Sequence, residues 1–248
     1  MTGRLFKYFV TMLLATQLYP VNLIAQGLNV SVTAGAGTYR MQNLKTFIEI
    51  VNESLPFSPV VVDEFPPYFW YAATASVIKG DFNWGITVNY NSTGSRVSLK
   101  DYSGEYLSDR KLCSVSPGIT AGYLLPPLGN HFSFSPVVGI GVIVTGMEVD
   151  ETLIAAGDTV SDFHQNYRAI NFFAHPSVRF GWTISSMVGL ELQAGYLLQI
   201  GNGQFKSISH RDSGVGIYHV NPEWTGLRCG ISIVISLPSK TGVNSGSL

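Results

Sequence analysis

The 248-residue sequence predicts an all-β fold: a closed antiparallel β-barrel that crosses a membrane, with about eight strands and a short helix in its first long connection. Three observations lead to this prediction. Apolar residues alternate with small or polar residues over long segments, charged residues are scarce within those segments, and short connections alternate with long ones. Together these features indicate a sheet that has one apolar face and closes on itself.

Charge is scarce in the chain as a whole. Asp, Glu, Lys and Arg make up 12% of the residues, whereas 46% are hydrophobic. Because a soluble domain usually carries about twice that share of charge, much of this surface is expected to meet something other than water. The formal net charge of −1 gives no reason to expect a nucleic-acid partner.

The N-terminal segment has the pattern of a secretory signal peptide. A short basic region precedes an apolar stretch that ends near Leu18, and a cleavage site with a small residue follows before Gly27. An uncleaved anchor helix is the alternative, but the apolar run is shorter than the roughly 20 residues that span a bilayer. We therefore expect a signal peptide at 1–26, the barrel at 27–238 and a polar tail at 239–248.

The alternation is clearest in Val188–Ile200, where every even position is apolar and the odd positions are mostly glycine and polar residues. Since successive strand side chains point to opposite faces, one face of this strand is apolar. Similar alternation predicts strands in Phe132–Thr145, Ile170–Thr183 and Leu227–Ser236. Weaker patterns predict four more strands, at about 28–38, 68–79, 82–91 and 111–125.

A water-soluble barrel also alternates, but its apolar face points inward and its outer face carries lysine and glutamate. Here the non-apolar face is mainly Gly, Ser, Thr, Asn and Gln, which suits a narrow polar lumen. The charged residues within the predicted strands are Lys79, Lys111, Arg179, Glu191 and Arg228. An apolar outside and a polar inside predict a membrane barrel, whose closure pairs every backbone group in lipid.

Aromatic residues lie on the apolar face near both ends of the strands. Those near the short turns are Trp84, Tyr123, Phe132, Phe134 and Trp182, and those toward the long connections are Phe69, Tyr71, Tyr90 and Tyr196. The outward placement of Phe69 and Tyr71 assumes that a two-residue turn at Gly80-Asp81 pairs Val77 with Trp84. Because aromatic side chains favour membrane–water interfaces, we expect two aromatic girdles.

The connections alternate in length. The short ones are Gly80-Asp81, 126–130 and 183–187, and the long ones are 39–67, 92–110, 147–168 and 201–223. Short periplasmic turns and long external loops are the outer-membrane convention, so both mature termini are predicted in the periplasm of a Gram-negative cell.

Two local features modify this pattern. Helical spacing of apolar residues predicts an amphipathic helix between Gln42 and Asn52 on the barrel rim, and an irregular loop is the alternative. Pro117, Pro136 and Pro176 fall inside predicted strands, where each removes a ladder donor. We expect bulges or local breaks at these prolines.

Loop and strand signatures carry a resemblance to a known family. They are Gly35-Ala36-Gly37-Thr38-Tyr39 before the helix at Leu44-Lys45, then Phe65-Pro66-Pro67-Tyr68, Ser92-Thr93-Gly94-Ser95-Arg96 and Asp101-Tyr102-Ser103-Gly104-Glu105-Tyr106. Over most of its mature length the chain resembles the outer-membrane β-barrel proteins of Bacteroidetes-type bacteria. The family has no general activity to transfer. Such barrels often end on an aromatic residue that the assembly machinery recognises, whereas this chain ends in the polar tail.

Three charged residues form a predicted charge network in the lumen. Arg179, Glu191 and Arg228 face inward by parity, and a turn centred at Ser185 would set Arg179 directly opposite Glu191. Since eight strands leave an interior that side chains fill, we expect a salt bridge that occupies the lumen. A gated pore or a proton path is the alternative.

His175, Ser177 and Glu191 are the residue types used in nucleophilic ester hydrolysis. The His-x-Ser pair looks similar to that of outer-membrane lipid A deacylases, which place it with a nearby acid on a barrel. However, Val178 stands where those enzymes have Asn, and parity points the three residues inward, away from lipid. We therefore predict a polar lumen lining and no catalytic residues.

The sequence contains no nucleotide-binding motif or metal-binding cluster, so neither a cofactor nor a metal is predicted. Acidic residues between 150 and 162 could hold a divalent cation, but solvated loop charge is the expected interpretation. Cys113 and Cys229 could pair in an exported protein, although small lipid-facing or interior residues are expected.

The sequence thus predicts an outer-membrane barrel with a structural, adhesive or surface-interaction role, whose lumen is largely filled by side chains. The expected partners are membrane lipid, lipopolysaccharide and the barrel-assembly machinery, together with an unknown ligand of the external loops. A narrow channel for small solutes is the first alternative, and a lipid A-modifying hydrolase is the second.

Overall fold

The computed structural model describes residues 27–57, 59–102, 104–127, 131–155, 158–208 and 220–238. The predicted signal peptide and polar tail lie outside the described residues. The described elements are β1 (Gly27–Gly37), α1 (Gln42–Ser54), β2 (Val60–Glu64), β3 (Tyr68–Lys79), β4 (Phe82–Lys100), β5 (Gly104–Tyr123), β6 (Phe132–Ala155), β7 (Asp158–Thr183), β8 (Val188–Ile200), β9 (Lys206–Ser207) and β10 (Gly226–Pro238).

Eight of these strands close into a barrel. Each pairs antiparallel with two neighbours in the order β1-β3-β4-β5-β6-β7-β8-β10, and β10 pairs again with β1. The short strands β2 and β9 add to the free edges of β4 and β7. The predicted fold class, an antiparallel eight-stranded barrel with a helix in its first long connection, is confirmed. No helix in the described part of the chain is long and apolar enough to cross a membrane.

Side-chain exposure follows the parity of the strands. On β10, the outward residues Leu227, Ile231 and Ile233 are exposed, whereas the inward residues Arg228 and Ser232 are buried. The same division holds around the ring, where the buried inward residues are largely hydroxyl and amide side chains. An apolar outer surface around a polar interior is the arrangement of a membrane barrel, as the alternation predicts.

The first hairpin has the predicted register. Val77 pairs with Trp84 across β3 and β4, and Gly80 in the turn has a φ of 61°, which suits glycine. This register turns Phe69 and Tyr71 outward, where they are exposed.

Strands β4 to β7 are much longer than predicted. The connections expected at 92–110 and 147–168 consist mostly of strand, so their interpretation as long loops is wrong. Following the predicted orientation, we refer to the described residues of 38–67, 92–112, 145–169 and 201–225 as the external half of the molecule. The rest of the barrel, toward the short turns, is the membrane half.

The distribution of polarity inverts between the two halves. In the external half the outward residues are charged, and Arg96 and Lys100 on β4 form ion pairs with Asp109 and Glu105 directly opposite on β5. Many of the inward residues there are apolar and buried, as at Val97, although Arg110 and Glu151 form an ion pair on the inward face. This polarity is typical of a sheet that faces water, which explains why the sequence resembled loops.

The prolines interrupt the ladders without forming bulges. No pairs form at Pro117 in the β5–β6 ladder or at Pro176 in the β7–β8 ladder, yet the register is the same on either side of each gap. Pro136 pairs with Val178 in an unbroken β6–β7 ladder. The predicted local breaks are therefore present at two of the three prolines, and the predicted bulges are absent.

The helix α1 lies deeper than the rim position that the sequence predicts. Its apolar side chains Leu44 and Ile48 are fully buried, as is Met41 just before it. They pack against inward residues of the external half, including Val97 and Tyr106. The helix therefore belongs to an apolar core inside the external half.

Candidate functional site

Arg179 and Glu191 face inward but are not directly opposite each other. Arg179 pairs with Gln193, and Glu191 pairs with Gly181. The turn is therefore centred one residue later than Ser185, which shifts the register by two and keeps the parity. Glu191 is therefore a diagonal neighbour of Arg179 across the two strands, and backbones in this relation are about 7–8 Å apart. The predicted direct opposition of Arg179 and Glu191 is wrong, because the two residues are offset by two positions along the strands.

Arg228 also points into the lumen. Its side chain is 1% exposed, and its guanidinium carbon lies 5.8 Å from the centre of the Trp70 ring. None of its three guanidinium nitrogens has a hydrogen-bond acceptor among the described residues. The cation–π contact therefore compensates this charge only in part.

Glycines make room for the large rings in the lumen. Trp70 lies against Gly35 and Gly230, where an added Cβ would come within 2.6 Å and 3.0 Å of the indole ring. The indole Nε1 of Trp70 donates a hydrogen bond to the carbonyl oxygen of Cys229 over 3.3 Å. From the opposite side, Phe173 lies against two glycines of β5 and β6, so the two rings narrow the lumen together.

His175, Ser177 and Glu191 do not form a hydrolytic triad. The Ser177 hydroxyl donates to the carbonyl oxygen of Val137 and accepts from the Gln193 amide. Across the described residues, the Nε2 atom of His175 has no hydrogen-bond partner, and Glu191 is aligned with Gly181 rather than with His175. Both His175 and Ser177 are buried in the lumen, away from the lipid-facing surface.

A small cavity lies within the polar lumen. Its volume is about 20 Å³, enough for a single water-sized species. The residues around it include Trp70, Thr74, Asn89, Phe173, His175 and Arg179. This lining is mainly polar, with Arg179 as its fixed charge.

Beyond this cavity, the interior of the external half contains an apolar core. Inward residues of β4 to β8 meet α1 and the segment before β10 in one cluster of buried side chains. Trp224, just before β10, is fully buried and donates from its indole Nε1 to the Thr145 hydroxyl of β6 over 2.9 Å. Its ring packs edge-on against Tyr39, with the ring centres 4.8 Å apart. Because β10 and β6 lie on different sides of the ring of strands, Trp224 crosses the interior.

Acidic residues of the predicted third loop lie on strands. Asp150 and Glu148 of β6 face His164 of β7 on the outer surface, with their ligand atoms within 4.8 Å of one another. A hydrogen bond to Asp150 raises the pKa of the His164 imidazole. The Lys111 ammonium lies 3.7 Å from Asp150, so the cluster already contains its own positive charge. The arrangement is that of a solvated charge network.

The predicted aromatic residues are all on the outer surface. Trp84, Tyr123, Phe132, Trp182, Phe69, Tyr71 and Tyr90 are exposed, and Phe134 and Tyr196 are half-buried. The sequence interpretation missed Phe82, which stacks with Trp84, and Phe180, which stacks with Phe132. Their place at the same strand ends and with the same parity would have identified them. That these residues meet the membrane interfaces stays a prediction.

The two cysteines are free thiols. Cys113 lies on β5 and Cys229 on β10, and both point outward. Cys113 is paired with Gly146 and Ser92, and Cys229 with Ala36 and Ala194, so they occupy different parts of the barrel wall.

Comparisons with known proteins give structures of similar architecture. No family model and no curated protein matches the chain. Neisserial surface protein A shares 13% identity over 87% of this chain and 98% of its own, with a TM-score of 0.39. A major outer membrane protein from Thermus thermophilus shares 16% identity over 84% of this chain and 99% of its own, with a TM-score of 0.44. OprG from Pseudomonas aeruginosa shares 12% identity over 87% of this chain and 98% of its own, with a TM-score of 0.42.

These likenesses are too distant to transfer a function. The fold of this chain therefore rests on its own strand pairing and burial. The resemblance to Bacteroidetes-type barrels stays a prediction.

Proposed function

We propose that this chain is an outer-membrane barrel of the Bacteroidetes type that acts at the cell surface, in adhesion or another surface interaction, and does not conduct. The observation that carries the proposal is the apolar core inside the external half. There α1 and Trp224 bring buried side chains into the path that a solute would take. Water and ions cannot cross a well-packed apolar core without its rearrangement.

The proposed orientation rests on the same geometry. The first residue of β1 pairs with the last residue of β10, at the end of the barrel that carries the short turns. We place this end in the periplasm and the long strands outside the cell. The outer surface of the membrane half then meets lipid and lipopolysaccharide. An outward crevice of about 610 Å³, between Phe69 and Phe180, would accommodate acyl chains.

Planar-bilayer recordings test the closed interior. We expect no unitary currents from the purified full-length mature chain. A variant in which Leu44→Ser and Ile48→Ser loosen the helix should conduct, because both side chains are 0% exposed in the core. Stable unitary currents from the unaltered chain would contradict the proposal and favour the narrow channel, which the polar lumen of the membrane half otherwise supports.

The surface role needs a separate test on whole cells. Tyr102, in the turn between β4 and β5, is fully exposed, and Val160 near the start of β7 is 62% exposed. We expect Tyr102→Ser with Val160→Ser to reduce cell clumping or attachment to a surface several-fold, without a change in the amount of folded barrel. A matched substitution on the lipid-facing surface, Ile235→Val, should leave attachment unchanged. If deletion of the whole chain does not alter either property, the adhesive role is wrong.

A further inference from the structure

The interior of the membrane half contains more positive than negative charge. Among the described residues there, Arg179 and Arg228 point inward, and Glu191 is the inward carboxylate. Arg228 is 1% exposed, and the described part of the chain offers its guanidinium no hydrogen-bond acceptor. A buried charge left without compensation is strongly destabilising. The folded barrel therefore gains from any small anion that can enter its interior.

The cavity in the lumen provides a place for such an ion. Its volume of about 20 Å³ admits one species of the size of water or chloride. Arg179 lines this cavity and is 8% exposed, and its Nε atom has no hydrogen-bond acceptor within the residues that the structure describes. Gln193 and Asn89 also line it, and each amide nitrogen already makes one hydrogen bond, which leaves a second hydrogen on each for a ligand.

Arg228 lies near the same cavity, and two aromatic side chains that line the cavity are its neighbours. Trp70 lines the cavity and also lies beside the Arg228 guanidinium. His175 lines it too, and its Nε2 atom would come within 2.8 Å of a Cβ at Gly195, the strand neighbour of Arg228. The positive charge of Arg228 is thus held near the cavity with no acidic partner among the described residues that lie between them.

We propose that the cavity binds one small monovalent inorganic anion of the size of chloride. Arg179 holds the ion directly, the amides of Gln193 and Asn89 complete its hydrogen bonds, and Arg228 strengthens the positive potential. A single negative charge, together with Glu191, balances the two arginines. The site stabilises the fold, and it does not depend on the surface role proposed above.

Bromide, which replaces chloride and scatters anomalously, is the direct probe. Crystals of the full-length mature chain in detergent, grown with sodium bromide, should show an anomalous peak within hydrogen-bond distance of the Arg179 guanidinium. An empty or water-filled cavity at saturating bromide would overturn the proposal. Bromide found only at exposed basic residues would overturn it as well.

Thermal unfolding gives an independent measurement. At constant ionic strength, replacing gluconate by chloride at about ten times its dissociation constant should raise Tm by about 3–6 °C in a saturable manner. The Arg179→Gln variant should lose this shift, whereas Arg168→Gln, an exposed position on the same strand, should keep it. Glu191→Gln removes the competing carboxylate and should increase chloride affinity several-fold. A chloride shift that is unchanged in both lumen variants would contradict the proposal.

Discussion

The outward face of the membrane half can be tested at Ile119, near the centre of the part of β5 that lies in this half. Outward positions from Cys113 to Tyr123 carry no charge, and the next outward residue toward the external half is Lys111. Cys113 and Tyr123 stand ten residues apart. At about 3.3 Å per residue and a tilt of about 40°, this segment covers about 25 Å along the membrane normal, the height of a barrel's apolar band. Ile119 therefore lies about 10 Å from the Tyr123 end of this band and about 15 Å from the Cys113 end.

Replacing Ile119 by arginine should strongly destabilise the barrel. The side chain is 56% exposed, and its cross-strand neighbours are Ile86 and Ile140. If hydrocarbon surrounds it, Ile119→Arg should lower the free energy of unfolding by about 2–4 kcal/mol, which corresponds to a factor of roughly 30 to 900 in the equilibrium constant. If water surrounded it, the same substitution would change the free energy by less than about 0.5 kcal/mol.

The assay is reversible denaturant unfolding of the full-length mature chain in phospholipid vesicles, followed by tryptophan fluorescence. Val160→Arg is the matched control, because Val160 is also an exposed β-branched apolar residue but lies in the external half. Ile119→Ala separates the lost isoleucine from the added charge. Equal effects of the two arginine substitutions would refute the lipid-facing assignment, as would a wild-type chain that stays monodisperse in buffer without detergent.

Three further predictions concern packing and pH. Gly141→Ala should lower the free energy of unfolding by about 1–3 kcal/mol in the same denaturant assay, because an added Cβ would overlap the neighbouring strand backbone. Gly146→Ala is the control: the nearest atom to its added Cβ would be a sulfur 3.6 Å away, so the free energy of unfolding should change by less than about 0.5 kcal/mol. Leu44→Ala should lower the free energy of unfolding by about 2–5 kcal/mol and increase the rate of protease cleavage within 38–57, because the side chain is fully buried. Cleavage at the wild-type rate would argue against the apolar core. The raised pKa of His164 means that its interaction with Asp150 stabilises the external half fully below pH 6.5 and is lost as the pH rises through the raised value. An NMR titration should show the His164 pKa falling toward 6.5 in Asp150→Asn, and an unchanged pKa would exclude this contact.

The register of β7 and β8 illustrates a limit of the sequence pattern. Alternation placed Arg179, Glu191 and Arg228 on the inner face, and the structure has all three there. Yet a register shift of two residues preserves that alternation while it changes every cross-strand partner. The partner of Arg179 is therefore Gln193, because the geometry of the turn decides the register and apolar periodicity does not.

The external half shows a second limit. Its strands also alternate, but most of their charged residues point outward and many of their inward residues are apolar. The same residues in isolation are also typical of polar loops. Only the pairing of β4 with β5 and of β6 with β7 beyond the apolar band reveals them as strands.

The sequence by itself determined the barrel, the number of its strands and the face that each membrane-half residue occupies, because strand periodicity is a local property of neighbouring side chains. It also located α1, whose apolar spacing is equally local. The tertiary structure alone decided which lumen charges meet, how far the strands extend into water, and that α1 and Trp224 enter one core. These features depend on contacts between residues far apart in the chain, and such contacts are fixed only when the ring of strands closes.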